Sequence, residues 1–132
     1  MKKLVALIAA LLLGSLALAG CSSSGGSVQT VDAATWMTQS QQPGVVIVDV
    51  RTAGEYAQAH VDGATNIDVE APTFDAEIAK LDKNATYVVY CHSGRRSGIA
   101  TQKMADAGFA HVVNLDGGIA DLQSAGATIV AS

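Results

Sequence analysis

Two stretches of the chain are apolar at nearly every position and rich in β-branched residues: Val45-Val46-Ile47-Val48-Asp49-Val50 and Thr86-Tyr87-Val88-Val89-Tyr90. Continuous rather than alternating hydrophobicity predicts strands buried on both faces, as in a parallel sheet covered by helices. A third strand is expected at Val112-Val113-Asn114-Leu115, and a short extended piece near Ala64-Thr65-Asn66-Ile67. Between these runs the apolar positions recur at helical spacing. Asp32 is placed to cap a helix through Ala33, Ala34, Trp36 and Met37 that ends at Pro43-Gly44, and Thr52 to cap a helical turn through Glu55 and Tyr56. Pro72 to Leu81 reads as a helix with Phe74, Ile78 and Leu81 on one side. The clearest amphipathic helix runs from about Arg96 to Ala107 and is closed by Gly108. A last helix follows the Asp116-Gly117-Gly118 turn and ends near Ser124. This alternation predicts an α/β fold: a small, mostly parallel sheet with helices on both faces, without internal repeats, over residues 31–132.

The N-terminus breaks the pattern. Fifteen of the first twenty residues are apolar, the only charges there are Lys2 and Lys3, and Leu4 to Leu13 is uninterrupted. The run is short for a bilayer span and ends in small residues, so residues 1–20 read as a secretory signal. Cys21 directly after Leu18-Ala19-Gly20 resembles the bacterial lipoprotein signal. That resemblance implies that Cys21 becomes the lipidated mature N-terminus, with residues 21–30 forming the lipidated cysteine and a Ser/Gly tether (Ser22 to Ser27 above all). The domain is then expected in the cell envelope, outside the cytoplasm, with a membrane as partner through the lipid. Without Lys2 and Lys3, six basic residues face twelve acidic ones. Such a domain has no basic patch to offset phosphate repulsion, and nucleic acid is not an expected partner. With Cys21 lipidated, Cys91 is the only free thiol and no disulfide can form within the chain.

Candidate chemistry gathers at Tyr90-Cys91-His92-Ser93-Gly94-Arg95-Arg96-Ser97, between a buried strand and a helix. Ligands of open α/β sheets sit at the carboxyl ends of the strands. A tight loop entering a helix turns its N–H groups inward and adds the positive end of the helix dipole, which favours a thiolate or a charged sulfur adduct on Cys91. Gly94 permits the backbone turn, and Arg95 and Arg96 add positive charge. All three arginines, Arg51 included, fall at the ends of the two strongest strands. Arg51 is expected to face an anionic reactant, to form an ion pair with a neighbour such as Glu55, or to do both. Asp49, beside it, reads as a supporting carboxylate rather than a general acid. His60, His92 and His111 are scattered, and none has chelating spacing with Cys91, so no metal is expected. His92 reads chiefly as a loop contact and His60 as a local hydrogen-bonding residue, while Ser97 offers a helix-entry hydroxyl close to the loop.

Three blocks now resemble the rhodanese family of sulfurtransferases. They are Val46-Ile47-Val48-Asp49-Val50-Arg51 with Glu55-Tyr56 and His60-Val61-Asp62-Gly63-Ala64-Thr65-Asn66-Ile67; then Tyr90 to Ser97; then Asn114-Leu115-Asp116-Gly117-Gly118-Ile119. The resemblance covers about Val31 to Gly126. It implies that Cys91 takes a sulfane sulfur from a small anionic donor such as thiosulfate, becomes a persulfide, and passes the sulfur to a thiophilic acceptor, small or protein. The N–H groups of His92, Ser93, Gly94, Arg95, Arg96 and Ser97 would cradle the persulfide, and Asp49 and Arg51 would support the site. Attack by a thiolate on sulfur requires neither a metal nor an organic cofactor. After Gly117-Gly118-Ile119 the family often places a tryptophan, where this chain has Leu122.

Two other functions compete. A cysteine phosphatase or arsenate reductase uses a related loop in which five residues separate cysteine from an arginine that grips a tetrahedral oxyanion. Here that position is Ser97, and Arg96 is one residue short. The shorter loop suits a single sulfur. The second competitor is a noncatalytic module that carries or senses persulfide sulfur for a partner protein.

Overall fold

The computed structural model describes residues 26–132, and the expected signal segment, Cys21 and the Ser22–Gly25 part of the tether lie outside the described residues. In chain order the elements are β1 (Ser27–Val31), α1 (Ala33–Ser40), β2 (Val46–Asp49), α2 (Ala53–Gln58), β3 (His60–Val61), β4 (Thr65–Asn66), α3 (Phe74–Ile78), β5 (Thr86–Tyr90), α4 (Arg95–Asp106), β6 (His111–Leu115), α5 (Ile119–Ser124) and β7 (Ile129–Val130). Five strands pair in parallel in the order β1-β6-β5-β2-β4, and β3 and β7 form a small antiparallel pair beside them. The expected α/β architecture is present. Its two central strands are the valine-rich runs, with Val48 opposite Val89.

Alternate residues of β5 feed two cores, which is why its sequence is apolar throughout. Tyr87, Val89 and Cys91 pack with Phe74 and Ile78 of α3 and Ala100 and Met104 of α4. Val88 and Tyr90 pack on the other face with Trp36 of α1 and Leu122 of α5. Trp36 is fully buried, and its indole N–H donates to the Val89 carbonyl at 3.2 Å. Leu122 fills its place in that cluster without any exposure. Both expected caps form: Asp32 accepts from the Thr35 N–H, and Thr52 and Glu55 make a reciprocal capping box on α2.

Two expectations change. The tether drawn over residues 21–30 ends sooner, because Ser27–Val31 is β1, an edge strand in register with His111–Leu115. The Gly26 N–H already donates to the Ala105 carbonyl at 3.2 Å. The helix expected over Pro72 to Leu81 shrinks to the five residues of α3. Thr73 provides no side-chain cap, and Lys80 and Leu81 continue as tight turns bonded to the carbonyls of Glu77 and Ile78.

Candidate active site

Cys91 follows the last residue of β5, at the carboxyl edge of the sheet, and is fully buried. Gly94 adopts φ 104°, a conformation that side chains disfavour, and this turn starts α4. The Gly94 N–H donates to Cys91 Sγ at 3.0 Å. The thiol donates to Ser97 Oγ at 3.4 Å, and the buried Ser97 hydroxyl donates to the Gly94 carbonyl at 3.2 Å. On ionisation of the thiol, rotation of the Ser97 hydroxyl can turn its proton toward the sulfur. Burial works against the thiolate. Hydrogen bonds from the Ser97 hydroxyl and from the Ser97, Gly94 and Ser93 N–H groups outweigh it, and the thiol sits below its ordinary value.

The wall of the loop comes from the Gly117-Gly118 turn, which sequence reasoning had assigned no part in the site. The Ile119 N–H donates to the Cys91 carbonyl at 3.0 Å. A Cβ on Gly118 would overlap the His92 carbonyl, so this contact admits glycine alone.

The three arginines separate into different roles. Arg51 is buried and grips the buried Asp49 with Nε and Nη2, the closer contact being 2.6 Å from Nη2 to Oδ2. Arg51 Nη2 also donates to the Ala59 carbonyl. The Tyr90 hydroxyl donates to Asp49 and accepts from the Val61 N–H, and Asn66 Nδ2 donates to the carbonyls of Asp49 and Arg51. Asp49 and Arg51 therefore tie the end of β2 to β3, β4 and β5, and Arg51 is not paired with Glu55. Neither Tyr90 nor Asn66 stood out in sequence as polar ties, because each needed its tertiary neighbours to reveal it.

Glu55 instead holds Arg96, with Nη1–Oε2 at 2.7 Å and Nη2–Oε1 at 2.9 Å. The Arg96 guanidinium, against the effect of burial and with help from the Thr52 N–H and hydroxyl, keeps the Glu55 carboxyl far below the usual carboxylate range. Arg96 consequently brings no uncompensated charge to the loop, contrary to expectation. Arg95 is exposed and forms no ion pair among the described residues. His92 and Ser93 are exposed at the mouth. His92 borders a shallow cavity of about 430 Å³ together with Glu55, Gln58, Ile119 and Gln123. His60 is local, as expected: it stacks on Tyr56 and its Nδ1 lies 2.8 Å from the Tyr56 carbonyl. Among the described residues no cluster of His, Cys, Asp and Glu could hold a metal ion.

Residues 32–125 match the Rhodanese-like domain family. The chain belongs to that family. It is 41% identical over 75 residues to the thiosulfate sulfurtransferase PspE of Escherichia coli, a match spanning 57% of this chain and 71% of PspE. It is 36% identical over 75 residues to the putative sulfur carrier protein YrkF of Bacillus subtilis, covering 57% of this chain but only 40% of YrkF. The solved structure of a rhodanese with anions from E. coli superimposes with a TM-score of 0.56 at 36% identity, over 67% of this chain and 99% of the other.

Proposed function

We propose that this rhodanese-like domain is a thiosulfate sulfurtransferase in which Cys91 carries the sulfur. The observation that supports it best is the sulfur of Cys91 at the sheet edge, 3.0 Å from the Gly94 N–H and in contact with Ser97. The Cys91 thiolate attacks the outer sulfur of thiosulfate. The donor S–S bond breaks and its electron pair leaves on sulfite, while the new S–S bond leaves a persulfide whose terminal sulfur is anionic. A thiophilic nucleophile such as cyanide then attacks the terminal sulfur, forms thiocyanate and returns the thiolate. Each step exchanges one sulfur–sulfur or sulfur–carbon bond with no external oxidant or reductant. The loop N–H groups and the start of α4 stabilise the anion at both stages. Arg95, exposed and without an ion-pair partner among the described residues, meets the donor's sulfonate. Cys91 itself is fully buried, and the exposed His92, Ser93 and Arg95 beside it in the loop are the parts a donor meets first.

Intact-mass analysis after thiosulfate treatment tests this directly. The chain should gain one sulfur atom, lose it on addition of cyanide, and form thiocyanate over many cycles. The carrier reading draws support from the likeness to YrkF and from the buried sulfur. A single round of loading without turnover would favour it. The phosphatase reading is weaker, since the arginine nearest the required position is held by Glu55.

We also propose that Cys21 is lipidated and anchors the domain in the cell envelope, supported by the order of charge, apolar run and small residues before it. Fractionation with N-terminal mass analysis checks this. Cys21→Ala should release or misprocess the protein, and a wild-type chain found soluble with an unmodified N-terminus would contradict the reading.

A further inference from the structure

Two adjacent arginines open α4, yet cations at a helix N-terminus are opposed by the helix dipole. Arg96 escapes that cost through Glu55, which takes both terminal nitrogens of the guanidinium. The carboxylate is itself fixed from behind by the Thr52 N–H at 3.1 Å and the Thr52 hydroxyl at 2.9 Å. Arg96 is nonetheless part of the loop's exit into α4, directly before Ser97, whose hydroxyl contacts the Cys91 sulfur. Glu55 also borders the cavity that His92 shares. An anion entering there meets the Glu55 carboxylate, whose two oxygens already hold Arg96 in two-point contact.

We propose that Glu55 is a specificity-determining residue that withholds Arg96 from the loop, so that the loop engages sulfur and does not retain free oxyanions such as phosphate, sulfate or the product sulfite. This rests on the sulfur-transfer reading for the identity of the donor. Arg96, one residue short of the oxyanion-gripping position, is turned into a strut between α2 and α4. Arg95 is left without an ion-pair partner among the described residues. Sulfite, a dianion, then departs from a mouth that offers it no bidentate partner.

The test measures how strongly phosphate and sulfate protect Cys91 of the full chain from iodoacetamide, read on the Cys91 peptide, and needs no sulfur transfer. Glu55→Gln preserves an acceptor for the Thr52 capping box but releases Arg96. It should strengthen phosphate protection about tenfold, the order expected when a charge-assisted contact is gained. The neutral pair Glu55→Gln with Arg96→Gln should return to the wild-type level. Unchanged or weaker protection in folded Glu55→Gln would overturn the proposal. So would protection in the double variant clearly below wild type, which would mean that Arg96 already binds anions. If Glu55→Gln alone fails to fold, the double variant decides by the same criterion. Loss of thiosulfate turnover in the wild type, with this protection pattern intact, would overturn the donor assignment and leave the role of Glu55 standing.

Discussion

The carboxyl ends of β2 and β5 lie side by side in the sheet, and both carry an arginine within two residues of a polar or nucleophilic side chain or in the loop that follows. At β2 the groups close on one another: Arg51 on Asp49, Tyr90 on Asp49, Asn66 on the flanking carbonyls. At β5 the polarity converges on one sulfur atom, and His92, Ser93 and Arg95 remain exposed. The first end uses its charges to fix chain geometry, and the second leaves its donors for something that arrives. Proximity of an arginine to a strand end does not separate the two cases. Burial and the commitment of each guanidinium nitrogen do.

The sharpest way to break this contrast is Cys91→Ser. It should reduce transfer by at least about a thousandfold, as loss of a covalent nucleophile commonly does, in a thiosulfate–cyanide assay. The fold should survive, because a hydroxyl can keep the Gly94 N–H and Ser97 as partners. Asp49→Asn should do the reverse kind of damage. It strands a buried guanidinium, costs about 3–5 kcal/mol, and should appear as a lowered denaturant midpoint. If Asp49→Asn leaves that midpoint in place while abolishing transfer, the division between the two ends fails.

Arg95→Ala should act on donor capture, raising KM for thiosulfate with kcat nearly unchanged, by about 1–3 kcal/mol in kcat/KM if the contact is charge-assisted. An unchanged KM would remove Arg95 from the site. The smallest effects are those of pH. A thiol held below its ordinary value of 9.0 by loop hydrogen bonds should let the transfer rate rise with pH and level off below that value. For Glu55, whose folded carboxyl lies below its ordinary 4.5, the stabilisation is full above that value and is lost as pH falls through the folded one. Thermal unfolding should therefore be nearly flat in this contribution from neutral pH down to about 5 and fall in stronger acid, and Glu55→Gln should remove part of that fall.

Where chain pattern and burial carry the same information, the sequence was readable. β5 begins and ends as its apolar run does, β2 differs by a residue at each end, and the caps at Asp32 and Thr52 are where a short polar side chain precedes an apolar helix. β1 escaped notice because Ser27-Val28-Gln29-Thr30-Val31 is an edge strand that is largely exposed and continues a polar stretch. β3 and β7 are two residues each, too short to carry a period, and α3 lost the turns that an N-cap side chain would have supported. Cys91 and its loop stood out through local composition. The partner of Arg96 did not, since Glu55 lies 41 residues away and Asp49 competes for the same inference from Arg51.

Parallel pairing gives the domain a polarity. β1, β6 and β5 all run the same way, so Ser27 begins at the edge where Thr86 begins and Cys91 emerges at the opposite one. A five-residue strand separates those edges by about 16 Å. A reactant bound for Cys91 therefore approaches the edge of the sheet opposite the one at which β1 begins.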